Sequence, residues 1–193
     1  MEAVKYMDQR FYDAVEDNPV IAAVKDEHGL MCCIDSGIKV VFVLYGDICT
    51  IPDIVTRLKD AGKIVMVHMD LLVGLSAKDI SVDYIRKFTQ ADGIISTRPN
   101  LVSRAKELGM YNILRLFVID SMALSEVGKL GMTKPDFVEI LPGIIPDIIH
   151  EIHMKTKTPI LAGGLIRTKQ DVINALNAGA MAISATNEDI WTM

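Results

Sequence analysis

The sequence predicts an α/β protein: one slightly minimal (β/α)8 TIM-type barrel over residues 1–193, with an extra N-terminal helix and a truncated last helix. Three observations lead there. Short apolar runs, too short for helices, recur eight times, and most are followed by an amphipathic segment of period 3.6. Their spacing of roughly 20 to 28 residues forces a crossover between successive strands, which makes them parallel. Each run is apolar on both faces, the pattern of a strand buried between other layers. The alternative, an open doubly wound sheet, wants a glycine-rich turn after the first strand, and Lys25-Asp26-Glu27-His28-Gly29 is not one.

The elements follow in order. Val4, Met7, Phe11, Ala14 and Val15 sit at helical spacing within residues 2–16, and Asn18-Pro19 ends that helix. Val20 to Val24 is the first strand, and Val40 to Tyr45 the second, ending in Gly46-Asp47. Thr50-Ile51-Pro52-Asp53 resembles a capping box with Asp in place of Glu or Gln, ahead of Ile51, Ile54, Val55, Leu58 and Ala61, with Gly62 at the helix exit.

Ile64 to Met69 is the third strand, closed by Asp70, with Ser81 as cap of a helix on Val82, Ile85 and Phe88. Gly93 to Ser96 is the fourth, followed by a helix on Leu101, Val102, Ala105 and Leu108. Ile113 to Ile119 is the fifth, ending in Asp120-Ser121. Phe137 to Leu141 is the sixth, ending in Pro142-Gly143, with a helix through Ile145, Ile148, Ile149 and Ile152. The seventh occupies the Pro159–Ile166 region and carries Gly163-Gly164; its helix starts at Thr168-Lys169-Gln170-Asp171. Met181 to Ala185 is the eighth, and Trp191 packs the remaining stub against the wall.

With 193 residues, half of them hydrophobic, the chain buries one core. A net charge of −5 gives no global attraction to nucleic acid or anionic membranes, so such a partner needs a local patch. Cys32, Cys33 and Cys49 form neither a disulfide framework nor a zinc spacing and read as small buried hydrophobes of the reduced cytosol. No secretory leader and no apolar run of about 20 residues is visible, so a cytoplasmic protein without a membrane partner is expected. No metal and no cofactor is expected, and nothing selects between a monomer and a homo-oligomer.

In parallel α/β folds ligands sit beyond the C-terminal strand ends. Gly163 and Gly164 let the backbone approach an anion, the next helix offers its positive end, and the Ala185–Thr186 backbone closes the other side of a phosphate cup. His68, Asp70 and Glu139 are candidates for ligand hydroxyls. Lys25, Asp47, Arg98, Arg115, Gly143 and Asn187 form a second tier. Arg115 and Glu139 are charges inside apolar strands that neighbour each other, so they must pair with one another or with a ligand. No lysine lies on strand six for imine chemistry and no cluster of histidines and carboxylates converges for a metal, so no catalytic set is evident.

Five segments carry a resemblance: Asn18-Pro19-Val20-Ile21-Ala22-Ala23-Val24-Lys25-Asp26, Val67-His68-Met69-Asp70-Leu71-Leu72-Val73-Gly74-Leu75, Asp92-Gly93-Ile94-Ile95-Ser96-Thr97-Arg98, Glu139-Ile140-Leu141-Pro142-Gly143 and Ala162-Gly163-Gly164-Leu165-Ile166. With them the chain, from strand one to Trp191, resembles the glycerol uptake operon antiterminator family. The resemblance implies a bacterial regulator rather than an enzyme: a (β/α) barrel that senses glycerol 3-phosphate and acts on the leader messenger RNA of a glycerol-catabolism operon. RNA contacts are then sought at Arg98, Arg104 and Lys106, at Lys155 and Lys157, and at Arg167 and Lys169, although aromatics for base stacking make up only 6% of the chain. The competing reading is a barrel enzyme on a small phosphorylated polyol: an isomerase, an aldolase or a glycerol-phosphate prenyltransferase.

Overall fold

A computed structural model describes residues 9–127 and 133–193. Eight parallel strands, β1 Val20–Val24, β2 Val40–Val43, β3 Ile64–His68, β4 Gly93–Ser96, β5 Tyr111–Phe117, β6 Phe137–Leu141, β7 Ile160–Gly163 and β8 Ala182–Ala185, close in sequential order, β8 pairing with β1. The helices are α1 Arg10–Asp17, α2 Glu27–Asp35, α3 Ile51–Asp60, α4 Asp79–Phe88, α5 Pro99–Glu107, α6 Ser121–Glu126, α7 Pro146–Lys155, α8 Lys169–Asn177 and α9 Glu188–Trp191. Among the described residues no helix is long and apolar enough to cross a membrane.

Alternation along each strand divides the interior in two. Val41, Val43, Val65 and Val67 face outward against the helices, whereas Ile21, Phe42, Met66, Ile113, Phe137 and Leu161 fill the lumen. The lumen is closed from below by α1, whose Phe11, Ala14 and Val15 belong to the luminal cluster. The Phe11 ring lies 4.3 Å from Phe137 and 5.5 Å from Tyr111, and the Phe11 N–H donates to the Tyr111 hydroxyl at 3.3 Å. The α1 positions Val4 and Met7 fall outside the described residues.

Several local expectations need correction. Thr50 does not cap α3. The Asp47 carboxylate accepts the Cys49 and Thr50 N–H groups at 2.8 and 2.9 Å and closes the turn itself. Ser81 does not cap α4 either: it is buried inside that helix, where its hydroxyl accepts the Ser76 N–H at 3.2 Å. β3 stops at His68, and Asp70 sits in a 3-10 turn, Met69–Leu71. β5 starts and ends two residues earlier than its apolar run suggests, so that Tyr111 reaches Phe11. Of the cysteines only Cys33 is buried; Cys32 is half-buried and Cys49 exposed. Elsewhere the helix starts at Thr168, as read, where Thr168 and Asp171 form a full capping box on α8, and Trp191 is buried in the stub with its indole donating to the Ala185 carbonyl at 2.9 Å.

Phe11 is fully buried, so Phe11→Ala removes the plug. It is expected to lower unfolding free energy by about 3–5 kcal/mol in urea titration, the range for buried Phe-to-Ala changes.

Candidate functional site

The C-terminal strand ends surround a cavity of about 770 Å³, lined at β1 by Lys25 and Asp26, at β5 and β6 by Arg115 and Glu139, beyond β7 by Gly164 to Arg167, and beyond β8 by Ser184 to Asp189. Its floor is a buried polar triad. Arg115 Nε donates to Glu139 Oε2 at 2.6 Å and Ser184 Oγ donates to Glu139 Oε1 at 2.6 Å. Arg115 and Glu139 are direct register partners in the β5–β6 ladder. Ser184 faces inward from β8 and reaches over β7 to the same carboxylate.

That crossing exists because β7 carries glycine. A Cβ on Gly163 would lie 2.5 Å from Glu139 Oε1 and 2.6 Å from Ser184 Oγ. Gly163 is held from outside by the β6 exit loop. The Gly143 N–H donates to the Gly163 carbonyl at 2.5 Å, and a Cβ on Gly143 would meet the β7 backbone at 2.8–3.0 Å. Gly164 follows at φ +76° and Leu165 at φ 63°, a left-handed pair of which the second is not glycine. The chain thus turns sharply over the cavity mouth.

The positive helix end expected beside this turn is largely taken. Asp171 accepts the Arg167 and Thr168 N–H groups at 3.0 and 2.9 Å, so α8 neutralises its own first turn. Cationic charge at the mouth comes instead from the Lys25 and Arg167 side chains.

Of the sequence-derived site residues, Lys25, Arg115, Glu139, Gly164, Ala185, Thr186, Asn187 and Arg167 come together on this cavity. Gly163 and Gly143 support it from behind. His68, Asp70, Arg98 and Asp47 lie on the β2–β4 side and do not line it. Asp70 is saturated: its carboxylate accepts from Ser96 Oγ, Thr97 N and Arg98 Nε at 3.0, 2.8 and 3.1 Å. Burial would push this carboxyl up, but those donors and His68 hold it below the usual carboxylate range.

His68 is only 2% exposed and neither ring nitrogen has a hydrogen-bond partner; Nδ1 is 3.9 Å from Asp70 Oδ2, too far for one. Burial, helped by the Arg115 charge, pushes its pKa down to about 4, so the ring is neutral at pH 7. Sequence reading did not assign Ser184 to Glu139, although its inward parity with Ala182 was available, nor did it include Leu165 or Glu188 in the lining.

The other basic residues differ in their engagement. Arg104 pairs with Asp83 and Glu107, Lys155 with Glu151, and Lys106 donates to the Lys134 carbonyl. Lys157, Arg167 and Lys169 enter no ion pair among the described residues.

Residues 20–191 match the family model described as glycerol-3-phosphate responsive antiterminator. YgcP of Escherichia coli K12, a protein described as uncharacterized, is 43% identical over 180 residues, covering 93% of this chain and 94% of its own. The crystal structure of a glycerol uptake operon antiterminator regulatory protein from Listeria monocytogenes superimposes with a TM-score of 0.88 at 32% identity, covering 91% of this chain and 96% of that one. A glycerol uptake operon antiterminator-related protein from Thermotoga maritima gives 0.81 at 31%, covering 90% and 98%. Barrel enzymes at 13 to 21% identity share the fold alone.

The His68 environment makes a pH prediction. Its folded pKa of about 4 lies below the ordinary 6.5, so above pH 6.5 the neutral ring carries no penalty. As pH falls from 6.5 towards 4 the unfolded chain takes up a proton that the folded one refuses, and stability drops. Between pH 7 and pH 4 the protein is expected to lose on the order of 3 kcal/mol more than a His68→Asn variant, measured by paired denaturant titrations.

Proposed function

The chain belongs to the glycerol-3-phosphate responsive antiterminator family, and from that premise we propose that glycerol 3-phosphate is its effector, bound in the cavity above Glu139. The observation that carries this reading is the polarity of the cavity: a fixed carboxylate with its arginine and serine at the floor, cations and bare backbone at the mouth. The phosphate sits against the backbone of Gly164 and Ala185-Thr186, with Gly163 behind it and Lys25 and Arg167 supplying counter-charge. The glycerol end points down. Each Glu139 oxygen already accepts one hydrogen bond and has a lone pair left for a ligand hydroxyl.

The protein is then a cytoplasmic regulator. Binding shifts the β7 exit loop between two arrangements, and the cations at its end, Arg167 and Lys169, contact the leader messenger RNA of a glycerol-catabolism operon so that transcription passes a terminator. These two are favoured over Arg104, Lys106 and Lys155, which are already engaged within the protein, and over Lys157, which precedes β7 at the opposite end of the barrel. No chemical step on the effector belongs to this reading, in which Glu139 serves as a hydrogen-bond acceptor held by Arg115 and Ser184.

Two measurements test it. In thermal shift and calorimetry glycerol 3-phosphate should stabilise the protein well beyond glycerol or phosphate alone, by about 2.7 kcal/mol at a hundred times its Kd. Lys25→Met, an exposed change, should weaken that binding by about tenfold or more, the worth of a charge-assisted hydrogen bond. In gel shift a leader transcript should bind differently with and without glycerol 3-phosphate, and Arg167→Ala with Lys169→Ala should reduce that binding. Equal, sequence-blind RNA binding in both conditions would remove the antitermination mechanism, and turnover of the ester would favour the enzyme reading.

A further inference from the structure

Among the described residues one group of three metal-ligating side chains brings its ligand atoms within 4.8 Å of one another: His28, Cys32 and Glu188. His28 and Cys32 are four apart on α2 and share a helix face. Glu188 opens α9, and the β8–β1 pairing that closes the barrel brings α9 beside α2. His28 Nε2 lies 3.5 Å from Glu188 Oε2 and 3.7 Å from Cys32 Sγ. Around a tetrahedral ion with bonds of about 2.0–2.3 Å, neighbouring ligand atoms stand about 3.3–3.6 Å apart. The three side chains are therefore near ligating separations already, held there by elements from opposite ends of the sequence.

We propose that His28, Cys32 and Glu188 bind one divalent cation of the zinc class at the rim of the cavity. Thiolate and imidazole together select a borderline-soft ion, since magnesium and calcium take oxygen ligands. Three protein ligands leave a fourth tetrahedral position for water or an anion. His28 and Glu188 also line the cavity, so the ion adds positive charge on the side of the mouth that holds Lys25. The Glu188 carboxylate beside it raises the Cys32 thiol pKa from its ordinary value. On binding, the S–H bond breaks, a sulfur–metal bond forms and the proton leaves to solvent, so affinity rises with pH.

The site does not depend on the identity of the effector, and its test uses no phosphorylated ligand. The full chain, free of any histidine tag and stripped by chelator, is titrated with zinc against a chromophoric competitor, and separately with cobalt. The expected result is one equivalent of zinc and a near-ultraviolet sulfur-to-cobalt charge-transfer band, lost in Cys32→Ser and kept in Cys49→Ser. His28→Ala, Cys32→Ser and Glu188→Gln should each weaken zinc binding at least roughly tenfold, the lower bound for disturbing even an outer partner of a metal ligand. Metal-free melting temperatures should stay close to the wild-type value, because His28 is exposed, Glu188 and Cys32 are half-buried, and Cys32→Ser is isosteric at the edge of the core. Well under one equivalent bound, or Cys32→Ser binding zinc as tightly as wild type, overturns the proposal and leaves a His28–Glu188 ion pair with a neighbouring thiol.

Discussion

The upper half of the barrel depends on one ion pair. Arg115 and Glu139 stand side by side on adjacent strands in an otherwise apolar lumen, and neither is tolerable there alone: removing one partner of a buried pair costs about 3–5 kcal/mol. Their needs propagate outward. Glu139 requires a second donor, which Ser184 supplies from two strands away. That line of sight requires no side chain on Gly163, and the tight seat of β7 behind it requires none on Gly143. Four strands are thus tied to one carboxylate, and the register that brings them together also shapes the cavity above.

The fold was legible because parallel barrels write themselves in a simple code, apolar runs separated by amphipathic helices, and all eight strands lie where those runs occur. Strand ends were read less well, because propensity continues past the point where pairing stops: Met69 is apolar enough for a strand, yet the chain turns there to present Asp70 to Ser96 and Thr97. Caps failed for a related reason. Thr50 and Ser81 have suitable chemistry, but in each case a competing local hydrogen bond, to Asp47 or Ser76, claims the hydroxyl.

The candidate site divides in the same way. The Arg115–Glu139 pair was readable because an unpaired charge in a buried strand is physically excluded. The use of Ser184, by contrast, depends on reach over an intervening strand, which no linear pattern encodes. The same limit hid Asp92, whose carboxylate takes the Val65 N–H and the Lys59 ammonium from neighbouring elements, and the company that Glu188 keeps with α2. Basic residues look equivalent in sequence; only folded neighbours distinguish Arg104, held between two carboxylates, from Arg167 at the cavity mouth.

The aromatic floor under the barrel has a consequence for traffic. With Phe11 wedged against Phe137, the lumen formed by the described residues is a dead end, and solute and solvent share the doorway at the strands' C-terminal ends. A molecule seated on Glu139 leaves only by the way it entered, past the turn at Gly164-Leu165. Anything that settles across that doorway lengthens its stay, and by reciprocity a tenant that draws the doorway shut improves the landing for whatever settles there. A corked vessel with a single lip is in this sense a timer as well as a container.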